Sequence, residues 1–164
     1  MILAILVLAA FCFFLVAVLA PRGRARSGWM GALALILIAS VLAIAANDLS
    51  HFGLKTVTTT TTQRIAGVKG NSLLVKPIGT NGKNQVVVYR PNPLSNKTVT
   101  AKPGVTTTVQ IKRGQTATLT IKTKQLRYQN TFYAFLFAWS GQNQQTLHRA
   151  YQFTVPVSWQ LVQK

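Results

Sequence analysis

The stretch PRGRARSGW, Pro21–Trp29, sets Arg22, Arg24 and Arg26 between two runs that carry no charged side chain. The run before it, MILAILVLAAFCFFLVAVLA at 1–20, is twenty residues long. At a rise of about 1.5 Å per residue, a helix of that length matches the roughly 30 Å hydrocarbon layer of a bilayer. Trp29–Ala46 is a second such run. Neither shows the polar residues that recur at helical spacing in an amphipathic core helix. The arginines cannot share one long span with these runs, because each would cost about 2.5 to 3.5 kcal/mol at the bilayer centre. The stretch therefore predicts a hairpin of two transmembrane helices, about 1–20 and 29–46, joined at the membrane surface.

The same arginines set the expected orientation. Before the first run there is no charged side chain, and soon after the second there are only Lys55 and Arg64. The excess of positive charge in a short loop marks the cytoplasmic side, so Arg22, Arg24 and Arg26 are the topology determinants. Residues 47–164 are then expected outside the cytoplasm, in the cell membrane's exterior space. The rival reading is a cleaved signal peptide ending at Ala20; the missing basic n-region, Pro21 after the cut and the following arginines disfavour it. Cys12 is the chain's one cysteine, so no disulfide framework exists. Phe11 stands where a lipoprotein site needs a small residue, which leaves Cys12 as a packed or lipid-facing thiol. Ala39 and Ala43 give the small-xxx-small spacing that lets helices approach closely, within this hairpin or against a partner.

Past Ala46 the periodicity changes from helical to alternating. QTATLTIKTK (115–124) places Ala117, Leu119 and Ile121 on one face and Thr116, Thr118, Thr120 and Lys122 on the other, the pattern of a half-buried strand. KTVTTTTT (55–62), SLLVKPI (72–78), QVVVYR (85–90), TTTVQIK (106–112) and YQFTVPVSW (151–159) read alike. Threonine, with 19 copies after residue 46, suits a pleated surface and disfavours helix. Turn signals at GTNGK (79–83), RPNP (90–93), KPG (102–104), RGQ (113–115) and SGQN (140–143) separate the runs. The expected fold is thus membrane-anchored α+β, with residues 1–46 a helical hairpin and 47–164 an all-β sandwich or small barrel. TFYAFLFAW (131–139) is apolar on both faces and is expected as a central strand, the alternative being a surface that docks on membrane or partner. A last turn of helix at 157–163 is left open.

The charge balance removes most enzyme classes. Lys and Arg number 18 against the single acidic residue Asp48, and fifteen of the 18 follow residue 46. Paired-carboxylate chemistry has no second carboxylate, and His51, His148 and Asp48 are too few for an ordinary metal site. A Ser/Lys hydrolase is the enzymatic alternative, with Ser50 near Lys55 or Ser72 near Lys76, although neither pair stands in a recognisable motif. The expectation is no enzyme and no cofactor. In NDLSHFGLK (47–55), Asp48 and His51 lie one helical turn apart where the second helix leaves the membrane. They form either a proton-sensitive hinge or a plain interfacial cap ended by Asn47 or Gly53.

At NDLSHFGLKTVT (47–58), GTNGK (79–83) and VPVSW (155–159) the chain resembles an uncharacterised two-span membrane family of lactic-acid bacteria, domain of unknown function 4811. The resemblance implies a two-span anchor with a C-terminal exterior domain and association with drug-efflux transporters of the major facilitator type. It implies no catalytic residues.

Basic and aromatic residues interleave in KTKQLRYQNTFY (122–133), a pattern that inside a cell fits single-stranded nucleic acid. The expected topology argues against nucleic acid and in favour of anionic envelope polymers or lipid headgroups, with Lys112, Arg113, Lys122, Lys124 and Arg127 as candidate anion-binding residues. Solvated cations, or cations such as Lys69, Lys76, Lys83, Arg90, Lys97 and Lys102 spaced to protect sheet edges, are the alternative. The function expected is a non-catalytic exterior interaction module for a membrane partner or an anionic polymer.

Overall fold

The computed structural model describes residues 1–68, 70–78, 84–92, 94 and 96–163. Lys69, Lys83 and the turn expected at 79–83 lie outside the described residues. Two apolar helices come first, α1 (Ile2–Leu19) and α2 (Arg24–Ser50), of 18 and 27 residues, both long and apolar enough to cross a membrane. α2 starts five residues earlier than the apolar run does, so Arg24 and Arg26 stand in its first turn and Arg22 alone remains in the link. The Arg26 guanidinium reaches back to the Ala17 carbonyl at 2.6 Å. That carbonyl is one of the four at the end of α1 without a helical partner, and a cation there also meets the negative end of the helix dipole.

The seam between α1 and α2 is marked by buried Ile2, Ala9 and Ser40. Ser40 returns its hydroxyl to the Ile36 carbonyl at 2.7 Å, which hides its polarity inside its own helix. Ala39 is exposed and Ala43 half-buried, while Ser40, one position on from Ala39, is buried.

The remainder forms β1 (Leu54–Arg64), β2 (Ser72–Ile78), β3 (Asn84–Tyr89), β4 (Val99–Ala101), β5 (Thr107–Gly114), β6 (Thr118–Tyr128), α3 (Thr131–Leu136), β7 (Thr146–Pro156) and β8 (Gln160–Gln163). They make two four-stranded sheets, β1-β6-β7-β5 and β4-β3-β2-β8, and no closed barrel. Both sheets are mixed: β6 runs antiparallel and β5 parallel to β7, while β3 runs antiparallel and β8 parallel to β2. Leu73, Val75, Val87 and Tyr89 from one sheet meet Val109, Leu119, Phe153 and Val155 from the other in one core, closed by Ile65 and Trp159. The Tyr89 ring stands edge-on to Phe153, centroids 5.1 Å apart. On the opposite side of the first sheet Thr62 and Thr120 join hydroxyls across β1 and β6 at 3.2 Å.

One segment differs from expectation, and one that the sequence leaves open is decided. TFYAFLFAW is not a central strand: its first six residues are α3, capped by Asn130, whose side chain accepts from the Tyr133 amide at 3.0 Å. A run that is apolar throughout carries no period, and the cap together with packing on one side decides in favour of helix. Residues 157–163 do not form a helical turn; after Trp159 the chain pairs with β2 from Ser72↔Gln160 to Val75↔Gln163.

By internal contacts the chain falls into two compact units. One comprises Met1–Thr56 with Leu126–Gln145, the other Val57–Gln125 with Thr146–Lys164. α3 thus belongs with α1 and α2, and the core between the sheets belongs wholly to the second unit.

Candidate functional site

In the first unit, the end of α2 is a polar junction. His51 is its C-cap in the left-handed region at φ 56°, and the Asn47 side chain, 2% exposed, donates to the Phe52 carbonyl at 2.7 Å. Gly53 follows at φ 81°, where a Cβ would sit 2.6 Å from a Tyr133 ring carbon. Asp48 and His51, one turn apart at the end of α2, are joined through a third residue. Gln142 donates to the Asp48 carboxylate at 3.0 Å, and its carbonyl oxygen lies 3.3 Å from His51 Nδ1. No sequence signal marks Gln142, which lies 91 positions beyond His51.

The segment 126–145 closes on this junction. Phe52 stands edge-on to Tyr133, which stacks on Phe137 at 6.3 Å, and the Tyr128 hydroxyl donates to the Phe137 carbonyl. The Met1 nitrogen donates to the carbonyls of Phe135 and Leu136 at 3.1 and 2.9 Å, which places the start of α1 beside the end of α3. With Tyr133 and Phe137 packed inward, Phe132, Phe135 and Trp139 point outward, each about 60% exposed. Trp139 shares a shallow apolar hollow with Leu3, Val7 and Phe11 of α1.

The Ser50 hydroxyl donates to the Ala46 carbonyl of its own helix at 2.7 Å. Ser72 and Lys76 lie four positions apart on β2, a spacing of about 13 Å at strand rise. Among the described residues no three His, Cys, Asp or Glu side chains gather to hold a metal.

The five candidate anion-binding residues lie on two strands, Lys112 and Arg113 on β5 and Lys122, Lys124 and Arg127 on β6. Lys122 and Lys124 stand on the outward face of β6 opposite Ala150 and His148. Lys112 is on β5 opposite Thr154, at the other side of β7, and Arg127 is near the end of β6 in the first unit. Arg113 is taken up structurally, its guanidinium donating to the carbonyls of Pro156 and Trp159 at 3.1 and 2.9 Å. The cations that do share a concavity are Lys102 and Arg149, in a groove of about 400 Å³ within the second unit. Deeper in that unit, burial pushes the Tyr89 phenol above its usual pKa, and the nearby Tyr151 adds to the rise.

The chain matches no curated protein and no solved structure. A family model described as Domain of unknown function (DUF4811) matches residues 24–164, from the first turn of α2 onward. The chain belongs to that family.

Proposed function

We propose that the chain is a non-catalytic, membrane-anchored interaction module, spanning the bilayer with α1 and α2 and presenting its β unit outside the cytoplasm. The observation that carries this reading is the exposure of the hairpin: Leu8, Phe11, Leu35 and Leu42 stand 58 to 68% exposed, while the β unit keeps a dry core. Apolar side chains turned outward along two helices of this length are unfavourable in water and at home in lipid. Trp29 near the start of α2 and Trp139 beside the start of α1 lie toward opposite ends of the hairpin, which fits aromatic belts at the two headgroup layers. In this reading α3 lays Phe132, Phe135 and Trp139 into the outer headgroup layer. The arginines at the other end remain in the cytoplasm.

The β unit then works on a membrane partner or on an anionic envelope polymer. The family resemblance points to an efflux transporter as the partner class, and the cations of the second unit favour the polymer. Protease added to intact cells tests the topology: cleavage within 57–125 is expected, and cleavage only after lysis overturns it. In a variant that keeps Trp139 as its one tryptophan, lipids brominated near the headgroup should quench the emission, and unchanged emission would remove α3 from the interface. Co-purification in mild detergent separates the two targets, since capture of a polymer should weaken steeply with salt and a packed protein interface should not.

A further inference from the structure

β7 turns Phe153 and Val155 into the core, both fully buried. Two and four positions earlier on the same side of the strand come Tyr151, half-buried, and Arg149, exposed. The core-facing register of the strand therefore ends in a guanidinium where another apolar residue would continue the core. The place is built around it. Arg149 pairs in register with Thr107 of β5 and Thr123 of β6, and its amide donates to the Thr106 carbonyl at 2.8 Å. The turn from β4 to β5 is pinned by two hydrogen bonds between Gly104 and Thr107, at 2.9 and 3.1 Å. β4 ends at Ala101, and Lys102 follows it into the same groove. Arg149 and Lys102 thus share a concavity whose remaining polar lining is hydroxyl: Thr100, Thr106, Thr107 and Thr146, with Tyr151.

Asp48, the one acidic side chain in the sequence, is bonded to Gln142, so the chain has no further carboxylate side chain to offer these two cations. The volume, about 400 Å³, lies within the range of small-ligand sites. A guanidinium offers a planar fork to an oxyanion, an ammonium adds a point charge, and hydroxyls both donate to and accept from a polyol.

We propose that this groove binds a phosphodiester oxyanion carried on a polyol, with Arg149 and Lys102 holding the phosphate and the threonine hydroxyls holding the polyol. The proposal deepens the polymer arm of the proposed function and rests on it. The same chemistry occurs in a glycerol-phosphate polymer and in a phosphatidylglycerol headgroup.

The full chain in nanodiscs of zwitterionic lipid is titrated calorimetrically with a soluble glycerol-phosphate oligomer, and its capture of separate phosphatidylglycerol vesicles is measured by flotation. Arg149→Gln should weaken binding by roughly tenfold or more, as loss of a charge-assisted hydrogen bond does. Lys102→Gln should weaken it several-fold, Arg149→Lys should restore part, and Lys122→Gln on the outward face should leave it within about twofold. Thermal unfolding of each variant, unchanged from the parent, shows that the fold is intact. Arg149-dependent binding of the oligomer or of the vesicles supports the groove, and identifies which source the protein uses. Parent binding that Arg149→Gln leaves unchanged, equal losses for all three glutamine variants, or equally tight binding of polyglutamate overturns the groove but not the polymer reading. A parent chain that binds neither oligomer nor vesicles overturns both.

Discussion

The two units solve opposite solvent problems with the same side chains. In the helical unit the large apolar residues face outward, with Leu8 67% and Leu35 68% exposed, and the seam holds Ala9 and Ser40. In the β unit Leu73, Val87, Leu119 and Phe153 are 0% exposed, and the outside belongs to threonine and lysine. Burial of apolar area drives folding only where water is the alternative. The first unit is therefore held by small-residue contact, helical hydrogen bonds and the polar junction at Asn47–Gly53, and the second by its core.

The largest test of this contrast is a pair of truncations. Phe153→Ala removes the ring against Tyr89 at the centre of the sandwich and should destabilise the fold by about 3–5 kcal/mol in denaturant unfolding. Leu35→Ala, on the exposed side of α2, should stay within about 0.5 kcal/mol in the same detergent. Similar losses at both sites would erase the distinction between the units.

Next in size is Gly53→Ala. Its φ of 81° is costly for any residue with a Cβ, and that atom would overlap Tyr133 at 2.6 Å. A loss of about 1–3 kcal/mol is expected, and a neutral result would show that the junction after α2 is looser than drawn.

Arg113→Gln sharpens the division of labour among the cations. It removes the guanidinium donor from the Trp159 carbonyl and from the Pro156 carbonyl, which keeps the Trp159 amide, and should cost about 1–3 kcal/mol, whereas Lys112→Gln, one residue earlier and on the outward face, should be nearly silent. Equal effects would mean that charge number, and not the latch, sets stability.

The smallest expected effect is with acid. With one carboxylate side chain and two histidines in the whole chain, at most three side chains can change charge between pH 7 and pH 4, and the unfolding free energy should change by less than about 1 kcal/mol. A loss of several kcal/mol would refute this. Alkali acts differently. Because the folded Tyr89 phenol keeps its proton above the ordinary value of 10.0, its share of stability is complete below that pH and is lost as pH rises through the higher folded value. Tyr89→Phe should lack this alkaline loss.

What could be read from the chain in advance was local. Hydropathy over twenty residues gave the hairpin, and alternation gave β2, β5 and β6 close to their bounds, because each signal is complete within its own segment. α3 was illegible because an apolar run without a period does not say which sides are covered. Gln142 was missed because its partners are brought to it only by folding. Arg113 reads as an anion-binding candidate because the two carbonyls it bonds, Pro156 and Trp159, come to it only on folding. Arg149 became notable only once register showed which way β7 faces, since on paper it is one more basic residue among fifteen.

The insertion of α3 between β6 and β7 has a practical consequence. The polypeptide passes from one unit to the other three times, at about 56, 125 and 145. No single cut separates anchor from module, and a soluble fragment beginning at residue 57 would still carry Phe132, Phe135 and Trp139 without the helices they were folded with. Such a fragment should clump in aqueous buffer until the 126–145 excursion is replaced by a short polar bridge, so this protein cannot be recombined as a cassette by trimming its front end alone.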